Sequence, residues 1–204
     1  MEFLPIESNG ERVYAGFWQR LYAAIVDVLL MFPFTCLYIW LWRYGRTTTI
    51  VAYILVAFLY LMYSVYFNAR FGGTLGKLFA GIRITKPNGT RIGWLEAWKR
   101  SSVDIVLIFP GLFAFIWGLM QADPNQYMSL PLMERLRFVT QYLPYWYHVV
   151  DALSQVWYWS ELLVLLTNKR KRALHDFIAG TVVIKKQFAV LSHPSEQPQD
   201  TPEA

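Results

Sequence analysis

Four apolar runs, each long enough to cross a bilayer, dominate this sequence of 204 residues. They cover about residues 21–42, 48–67, 103–120 and 145–166. A hydrocarbon core of about 30 Å requires roughly 20 apolar residues in a helix. Charged residues make up only 16% of the chain, whereas soluble domains usually contain about a quarter. The sequence therefore predicts an all-α membrane protein with four transmembrane helices arranged as two hairpins.

The distribution of Lys and Arg predicts the orientation of these helices. If the N-terminus, the segment between the second and third runs and the C-terminus face the cytoplasm, only four of the 19 basic residues lie outside, namely Arg43, Arg46, Arg135 and Arg137. The positive-inside rule then predicts a multi-pass protein of the plasma (inner) membrane with both termini cytoplasmic. Because this topology accounts for the net charge of +5, we expect no nucleic-acid partner.

Three segments outside the helices carry local signals. The strands "IRIT" and "TRIG" flank "KPNG", whose Asn-Gly pair is typical of a tight turn, so we expect a small cytoplasmic β-hairpin there. The outer segment "PLMERLRFVTQYL" has helical apolar spacing, and we expect it to lie flat on the outer leaflet. Residues 1–186 form the predicted domain, and the Pro-rich residues 187–204 are predicted to be a disordered tail.

The two halves of the chain resemble each other. "WQR" precedes the first helix and "WKR" precedes the third. "TLGKLFAGIRITK" follows the second helix and "ALHDFIAGTVVIK" follows the fourth, and the two segments share a Leu, an Ala-Gly pair and a final Lys. Since both halves would start on the same side, the pattern is consistent either with coincidence or with a parallel repeat about an axis along the membrane normal.

Charged residues inside the apolar runs are the candidate functional residues. At about 1.5 Å per residue, Asp27, Asp104 and Glu161 all fall roughly 6 to 10 Å inside the cytoplasmic boundary, beneath Arg20 and Arg100. A charged group at mid-span costs at least about 2.5 kcal/mol, so it normally pairs, faces the bundle interior or becomes neutral. The sequence therefore predicts one layer of charge in the inner leaflet.

Two interpretations of this layer stay open. In the first, the charges only hold the helices together, with Arg100 paired to Asp104 across one turn and Arg20 linked to Asp27 through a neighbouring helix or water. In the second, Asp27 binds a cation or carries a proton. Glu161, and Asp151 with His148, are either structural or further steps of such a relay.

The Gly-rich stretch "GGTLGK" does not fit a nucleotide-binding P-loop, because Phe71 and Leu78 occupy positions where that motif needs Gly and Ser or Thr. Its backbone amides with Lys77 could cradle a lipid phosphate, or the stretch is a plain junction between a helix and a loop. In the second half His175 and Asp176 take the matching place, so Lys77 and Asp176 could meet across the repeat axis.

We expect neither a metal site nor a cofactor. The three histidines, His148, His175 and His193, are too few for a hydrolase metal centre. The chain also has no serine-centred nucleophile motif and no cluster of Cys and His. The sequence thus predicts that the protein is not an enzyme.

These residues make the chain similar to the RDD family of membrane proteins, named for one arginine and two aspartates. The resemblance runs over about residues 14–186 and depends on "YAGFWQRLYAAIVDVLL", "GGTLGKLFAGIRI" and "KRALHDFIAGTVVIKK". It implies that Arg20, Asp27 and Asp176 are the three name residues. The family is described as having no known function and a suspected role in transport, for which ion or proton exchange has been suggested.

Two functions compete at this point. The first is a small-cation or proton-coupled transporter, acting as a homo-oligomer because four helices enclose little space, with Asp27 as the site of a monovalent cation or proton. The second is a non-transporting accessory module whose buried charges lock the helices and whose basic cytoplasmic face binds anionic lipid. A water-accessible cavity at Asp27 would favour transport, and a fully paired charge layer would favour the module.

Overall fold

The computed structural model describes residues 3–189, and four long helices form its frame. They are α1 (Phe17–Leu41), α2 (Arg46–Phe71), α4 (Trp94–Gln121) and α7 (Trp146–Thr167). All four are long and apolar enough to cross a membrane. The prediction of a mainly helical membrane protein with four apolar helices is therefore confirmed, and the protein is a membrane protein.

Short helices and strands lie between and beside this frame. The helices are α3 (Leu75–Phe79), α5 (Pro124–Ser129), α6 (Leu132–Thr140) and α8 (Leu174–Ala179). The strands are β1 (Glu7–Ser8), β2 (Glu11–Arg12), β3 (Ile82–Thr85) and β4 (Val182–Lys185). Since α1 and α4 start where α2 and α7 end, α3, α8, β3 and β4 lie at one end of the bundle, which we call the strand side.

The turns that join and start the long helices have simple local causes. Between α1 and α2 a short 3-10 turn ends at Gly45, whose φ of +120° favours glycine. Glu96 caps the start of α4, because its Oε2 accepts a hydrogen bond of 2.8 Å from the backbone amide of Gly93. This contact satisfies an amide that has no partner within the helix.

The predicted hairpin within "IRITKPNGTRIG" is present as a short local pairing, with an antiparallel bridge between Thr85 and Arg91, but β3 forms its longer pairing elsewhere. The turn is present, because the amide of Lys86 donates to the carbonyl of Thr90 at 2.8 Å. However, β3 pairs in antiparallel register with β4 from the far end of the chain, and Ile82 lies opposite Lys185. The local pairing stays short because the chain turns into α4 at Gly93, whereas β4 supplies four consecutive strand residues.

The strand pair is covered by the N-terminal segment. The amide of Ala15 donates to the carbonyl of Val183 at 3.0 Å, and the amide of Lys185 donates to the carbonyl of Val13 at 2.9 Å. Residues Val182 to Ile184 are completely buried, as expected for an apolar strand with both faces covered. The start of α1 is thus fixed to the end of the second half.

The other end of the bundle is closed by α5 and α6. The segment predicted to lie flat on a leaflet forms α6, and its Phe138 and Val139 are buried in a cluster with Leu119 of α4. Val139 approaches so closely that a Cβ on Gly118 would lie 3.1 Å from it. Arg135 is buried and donates to the carbonyls of Trp42, Met128 and Leu130, so half of this helix belongs to the interior.

The repeat and the tail stay predictions. In each half the short helix packs against the first long helix, α3 against α1 and α8 against α4. This arrangement is what a parallel repeat would produce, although it does not establish one. The predicted disordered tail over residues 187–204 lies mostly outside the described residues, which end at residue 189.

Candidate functional site

Asp176, on α8, lies at the centre of the charged residues on the strand side. Its side chain is 0% exposed. Oδ2 accepts hydrogen bonds from Arg20 at 3.0 Å and from the amide of Ala173 at 2.9 Å, while Oδ1 pairs with Arg100. Burial raises the pKa of this carboxyl, but Arg100 and Arg20 lower it by more, so the pKa lies below its ordinary value. Asp176 is therefore an ionised bridge between α1 and α4.

Further contacts fix α8 around this carboxylate. Arg172 donates to the backbone carbonyls of Asp176 at 3.0 Å and Thr181 at 3.1 Å. The hydroxyl of Thr181 accepts from Arg100 at 2.9 Å. Because the carboxylate and the backbone around it are both held, the position of Asp176 depends on residues from three separate parts of the chain.

His175 connects this bridge to Glu161 of α7. Its Nδ1 lies 2.6 Å from Oε2 of Glu161, and its backbone amide donates to Oε1 at 2.8 Å. Its Nε2 contacts the guanidinium of Arg100. Burial, reinforced by Arg100, lowers the pKa of the imidazole. A neutral ring that donates from Nδ1 and accepts at Nε2 fits both contacts.

Asp27 forms a second node, between α1 and α3. The hydroxyl of Tyr63 donates to its Oδ1 at 2.6 Å and the hydroxyl of Thr74 to its Oδ2 at 2.6 Å. The amide of Gly76 adds a third hydrogen bond to Oδ1, at 2.8 Å. Through these three hydrogen bonds Asp27 anchors the start of α3, without an ion pair among the described residues.

Gly76 is required by this close approach. A Cβ at this position would lie 2.1 Å from the carbonyl oxygen of Ala23 and 2.7 Å from Cγ of Asp27. Contacts under 3.0 Å do not occur at real Cβ atoms, so any side chain would push α3 away from α1. The glycine that the sequence suggested for phosphate binding therefore serves helix packing.

Lys77 follows directly and has a different environment. Its Nζ donates to the hydroxyl of Thr74 at 3.2 Å, and no acid lies within ion-pair distance of it in residues 3–189. Burial and the charge of Arg100 lower the pKa of Lys77 to about 8. The predicted meeting of Lys77 with Asp176 is wrong, because Asp176 is taken by the two arginines.

Asp104 is the least satisfied acid of the layer. The indole of Trp157 on α7 donates to its Oδ1 at 3.2 Å. The hypothesis that Arg100 pairs with Asp104 is wrong, since Arg100 turns to Asp176 and His175 instead. Arg20 binds Asp176 and the carbonyl of Lys171 directly, and its link to Asp27 through a neighbouring helix or water stays a prediction.

A polar cavity of about 370 Å³ lies among the four long helices near the strand side. Its charged lining residues are Arg20, Lys77, Arg100, Asp104, Glu161 and His175. The remaining polar lining comes from Tyr60, Ser64, Asn68, Ser101 and Tyr158. The acidic and basic lining residues Arg20, Lys77, Arg100, Asp104 and Glu161 belong to the set predicted from the sequence, and His175 is the addition. Asp27 and Asp176 do not line the cavity, so this cavity does not meet the condition for transport with Asp27 as the cation site, which was a cavity that reaches Asp27.

His148 and Asp151 lie apart from this region. Both are exposed on α7, and His148 has aromatic neighbours in Tyr145 and Tyr147. Neither forms an ion pair among the described residues. The structure thus separates them from the six residues predicted to form the charge layer.

Sequence reasoning missed four contributors to the site. Tyr63 and Thr74 complete the Asp27 node, His175 bridges Glu161 to Arg100, and Asn68 lines the cavity. The available signal was the spacing of Tyr60, Ser64 and Asn68, which places three polar side chains on one face of an otherwise apolar helix. Such a stripe indicates that this face lies inside the bundle.

Comparison with known proteins gives one match. The model of the RDD family matches residues 14–130, a segment that includes Arg20 and Asp27. Searches of the curated proteins and of the solved structures gave no match. Asp176 lies beyond the matched segment, but it binds Arg20 in the fold. Because the family model covers more than half of the sequence, the chain belongs to the RDD family.

Proposed function

We propose that this protein is a small-cation or proton-coupled transporter whose exchangeable site lies in the polar cavity at Asp104 and Glu161. The observation that carries the proposal is the open cavity of about 370 Å³ between the apolar helices, whose lining combines the acids Asp104 and Glu161 with three basic residues. Ionisable residues in such positions usually mark the path of an ion or a proton.

Asp104 is the best site for the cation or proton. It has one hydrogen bond from Trp157, and no cation pairs with it in residues 3–189. An ionised carboxylate at this depth is costly unless a cation or proton neutralises it. Binding of either therefore lowers the energy of the site, and the neutralised site can then face the apolar part of the bundle.

Glu161 and His175 extend this site towards the strand side. Glu161 binds both the ring and the backbone amide of His175, and His175 reaches Arg100. A proton that arrives at Glu161 would weaken its bond with Nδ1 and thereby disturb the contact with Arg100. This connection would couple the occupancy of the cavity to the helix bridge at Asp176.

Asp27 has a positioning role in this proposal. Its three hydrogen bonds fill both carboxylate oxygens, and they hold the short helix that carries Lys77 to the cavity wall. In this proposal the name residues Arg20, Asp27 and Asp176 hold the helices around the cavity in place. Asp104 and Glu161 bind and release the cation or proton.

The distribution of basic residues supports a plasma (inner) membrane location with the strand side and both termini in the cytoplasm. In this orientation the cavity would open inward. The corresponding packing of α3 on α1 and α8 on α4 supports an internal parallel repeat, and the small enclosed volume favours a homo-oligomer. We further propose that the protein is not an enzyme.

Reconstituted vesicles test the proposal. Vesicles with a trapped pH indicator would receive pulses of Na⁺, Li⁺ or K⁺, and we expect internal pH to change with the wild-type protein. Asp104→Asn and Glu161→Gln should each abolish the response. Asp151→Asn is the matched control, since Asp151 is an exposed acid remote from the cavity. No pH response, or an unchanged response in both cavity variants, would contradict the proposal.

A second candidate is the non-transporting module that binds anionic lipid. The complete hydrogen bonding of Asp27 and Asp176 favours it, because these two nodes have the properties of structural locks. A groove on the strand side, lined by Lys99 and by Lys86 in its ion pair with Glu96 at 3.3 Å, could receive a lipid phosphate. This function predicts salt-sensitive binding to anionic vesicles and no ion flux, so the vesicle assay separates the two.

A further inference from the structure

The volume of the cavity leaves room for a ligand larger than an inorganic cation. A water molecule occupies about 30 Å³ in the liquid, and sites for organic ligands typically measure about 300–1,000 Å³. The cavity, at about 370 Å³, therefore matches a small organic solute. A bare cation at Asp104 would leave most of this space to water.

The charges of the lining are the first sign of the ligand's chemistry. Arg20 and Arg100 are both engaged with Asp176, so Lys77 is the lining cation that has no acid partner in residues 3–189. Asp104, in turn, is the lining acid that no cation contacts in the same residues. A metal cation alone would leave Lys77 unneutralised, and an anion alone would leave Asp104 unneutralised.

An unpaired buried group gives the second sign. Asn68 is 3% exposed and lines the cavity, and its Oδ1 has no hydrogen-bond partner among the described residues. A buried carbonyl oxygen without a donor costs about 1–3 kcal/mol. A ligand that donates hydrogen bonds, as an ammonium group does, would remove this cost.

We infer that the cavity binds a small zwitterion with one carboxylate and one ammonium group, the chemistry of an amino acid. Lys77 holds the carboxylate, Asp104 holds the ammonium, and Asn68 accepts a further hydrogen bond from the ligand. The inference rests on the proposed function and names its substrate class. In this scheme Glu161 with His175 is the proton-coupled pair beside the ligand.

Three matched probes test the charge requirement with the purified full chain in detergent. Phenylalanine has both charges, phenylalaninamide has only the ammonium, and phenyllactate has only the carboxylate. Isothermal titration should show binding of phenylalanine at least about tenfold tighter than either analogue, since each loses one hydrogen-bonded charge contact. If phenylalanine does not bind, the other common amino acids would be titrated in the same way.

Two variants separate the ends of the site. Lys77→Gln should weaken the binding of phenylalanine and phenyllactate about tenfold and leave the binding of phenylalaninamide unchanged. Asp104→Asn should weaken the binding of phenylalanine and phenylalaninamide and leave the binding of phenyllactate unchanged. Asp151→Asn should affect none of the three. Circular dichroism would confirm that each variant is folded, and the reciprocal pattern distinguishes lost contacts from general damage.

The outcomes separate this inference from the proposed function. If no amino acid binds, or if phenylalaninamide binds as tightly as phenylalanine and Lys77→Gln has no effect, the zwitterion site is wrong. Cation-driven pH changes in vesicles without amino acids would still stand in that case. Conversely, amino-acid binding without any cation or proton flux would overturn the proposed function, whereas the inferred zwitterion site would still be supported.

Discussion

The substitution Asp176→Asn tests whether one carboxylate holds the two halves of the bundle together. The side chain is completely buried and accepts hydrogen bonds from Arg20 and Arg100. The amide that replaces it has nearly the same shape but no charge, and its nitrogen would face the donors of a guanidinium. Both arginines would keep their positive charges without the acid that neutralises them.

The expected loss follows from the burial of this pair. Removing one partner of a buried ion pair usually costs about 3–5 kcal/mol, because an uncompensated charge stays inside the protein. Most folded domains have about 5–15 kcal/mol of stability in total. We therefore expect Asp176→Asn to lower the free energy of unfolding by about 3–5 kcal/mol, a large part of the whole.

Equilibrium unfolding in mixed micelles of mild detergent and dodecyl sulfate, followed by far-ultraviolet circular dichroism, would measure this loss. Asp151→Asn is the control, because it removes an exposed acid from the same protein. The loss should also depend on pH. Because the pKa of Asp176 is below that of the unfolded chain, its contribution is present above about pH 4 and disappears as the pH falls further.

A double-mutant cycle decides whether the loss arises from the ion pair. Arg20→Met should cost less in the Asp176→Asn background than in the wild type, because the contact between them is already lost. A loss below about 1 kcal/mol for Asp176→Asn, or equal costs of Arg20→Met in both backgrounds, would refute the reasoning. In that case hydrogen bonds to neutral groups would be sufficient at this site.

Three further predictions concern other contacts, and each uses the same unfolding assay. Gly76→Ala should lower stability by about 1–3 kcal/mol, because its Cβ would lie 2.1 Å from a carbonyl oxygen of α1; an unchanged midpoint would contradict this. Arg135→Met should cost about 2–4 kcal/mol, since three backbone carbonyls lose a buried donor, and a loss similar to that of the exposed Arg137→Met would count against it. The pKa of Lys77 is lowered from 10.5 to about 8 in the folded protein, so between these pH values Lys77 is protonated in the unfolded chain but not in the folded one. The free energy of unfolding of the wild type should therefore rise with pH in this range. Lys77→Met should show a smaller rise.

The sequence predicted the frame of this protein well, because the signal for membrane helices is strong. An apolar run of about 20 residues has few alternatives to a transmembrane helix, and all four runs became long helices. The depth of the acids was equally accessible, because one residue adds about 1.5 Å of helix. Asp104 and Glu161 were therefore predicted at one level before any contact was known.

The partners of these acids could not be predicted in the same way. Arg100 lies one turn from Asp104, yet it binds Asp176, which is 76 residues away. The choice depends on the position of α8, which β4 fixes by pairing with β3. The local hairpin could be predicted because its turn signal lies in the sequence. The longer pairing of β3 with β4 could not, because a short strand pairs with the partner that the whole fold brings to it.

If the protein transports as proposed, the unequal strength of the contacts around the cavity predicts which helix would move. Asp176 joins α1 to α4 through two arginines, and Asp27 joins α1 to α3 through three hydrogen bonds. By contrast, Asp104 holds α7 through one hydrogen bond from Trp157. Protonation of Asp104 or Glu161 would weaken the links of α7 to α4 and α8 but leave the Asp176 bridge in place. Access to the cavity would therefore change by a displacement of α7 against a body formed by α1, α3, α4 and α8.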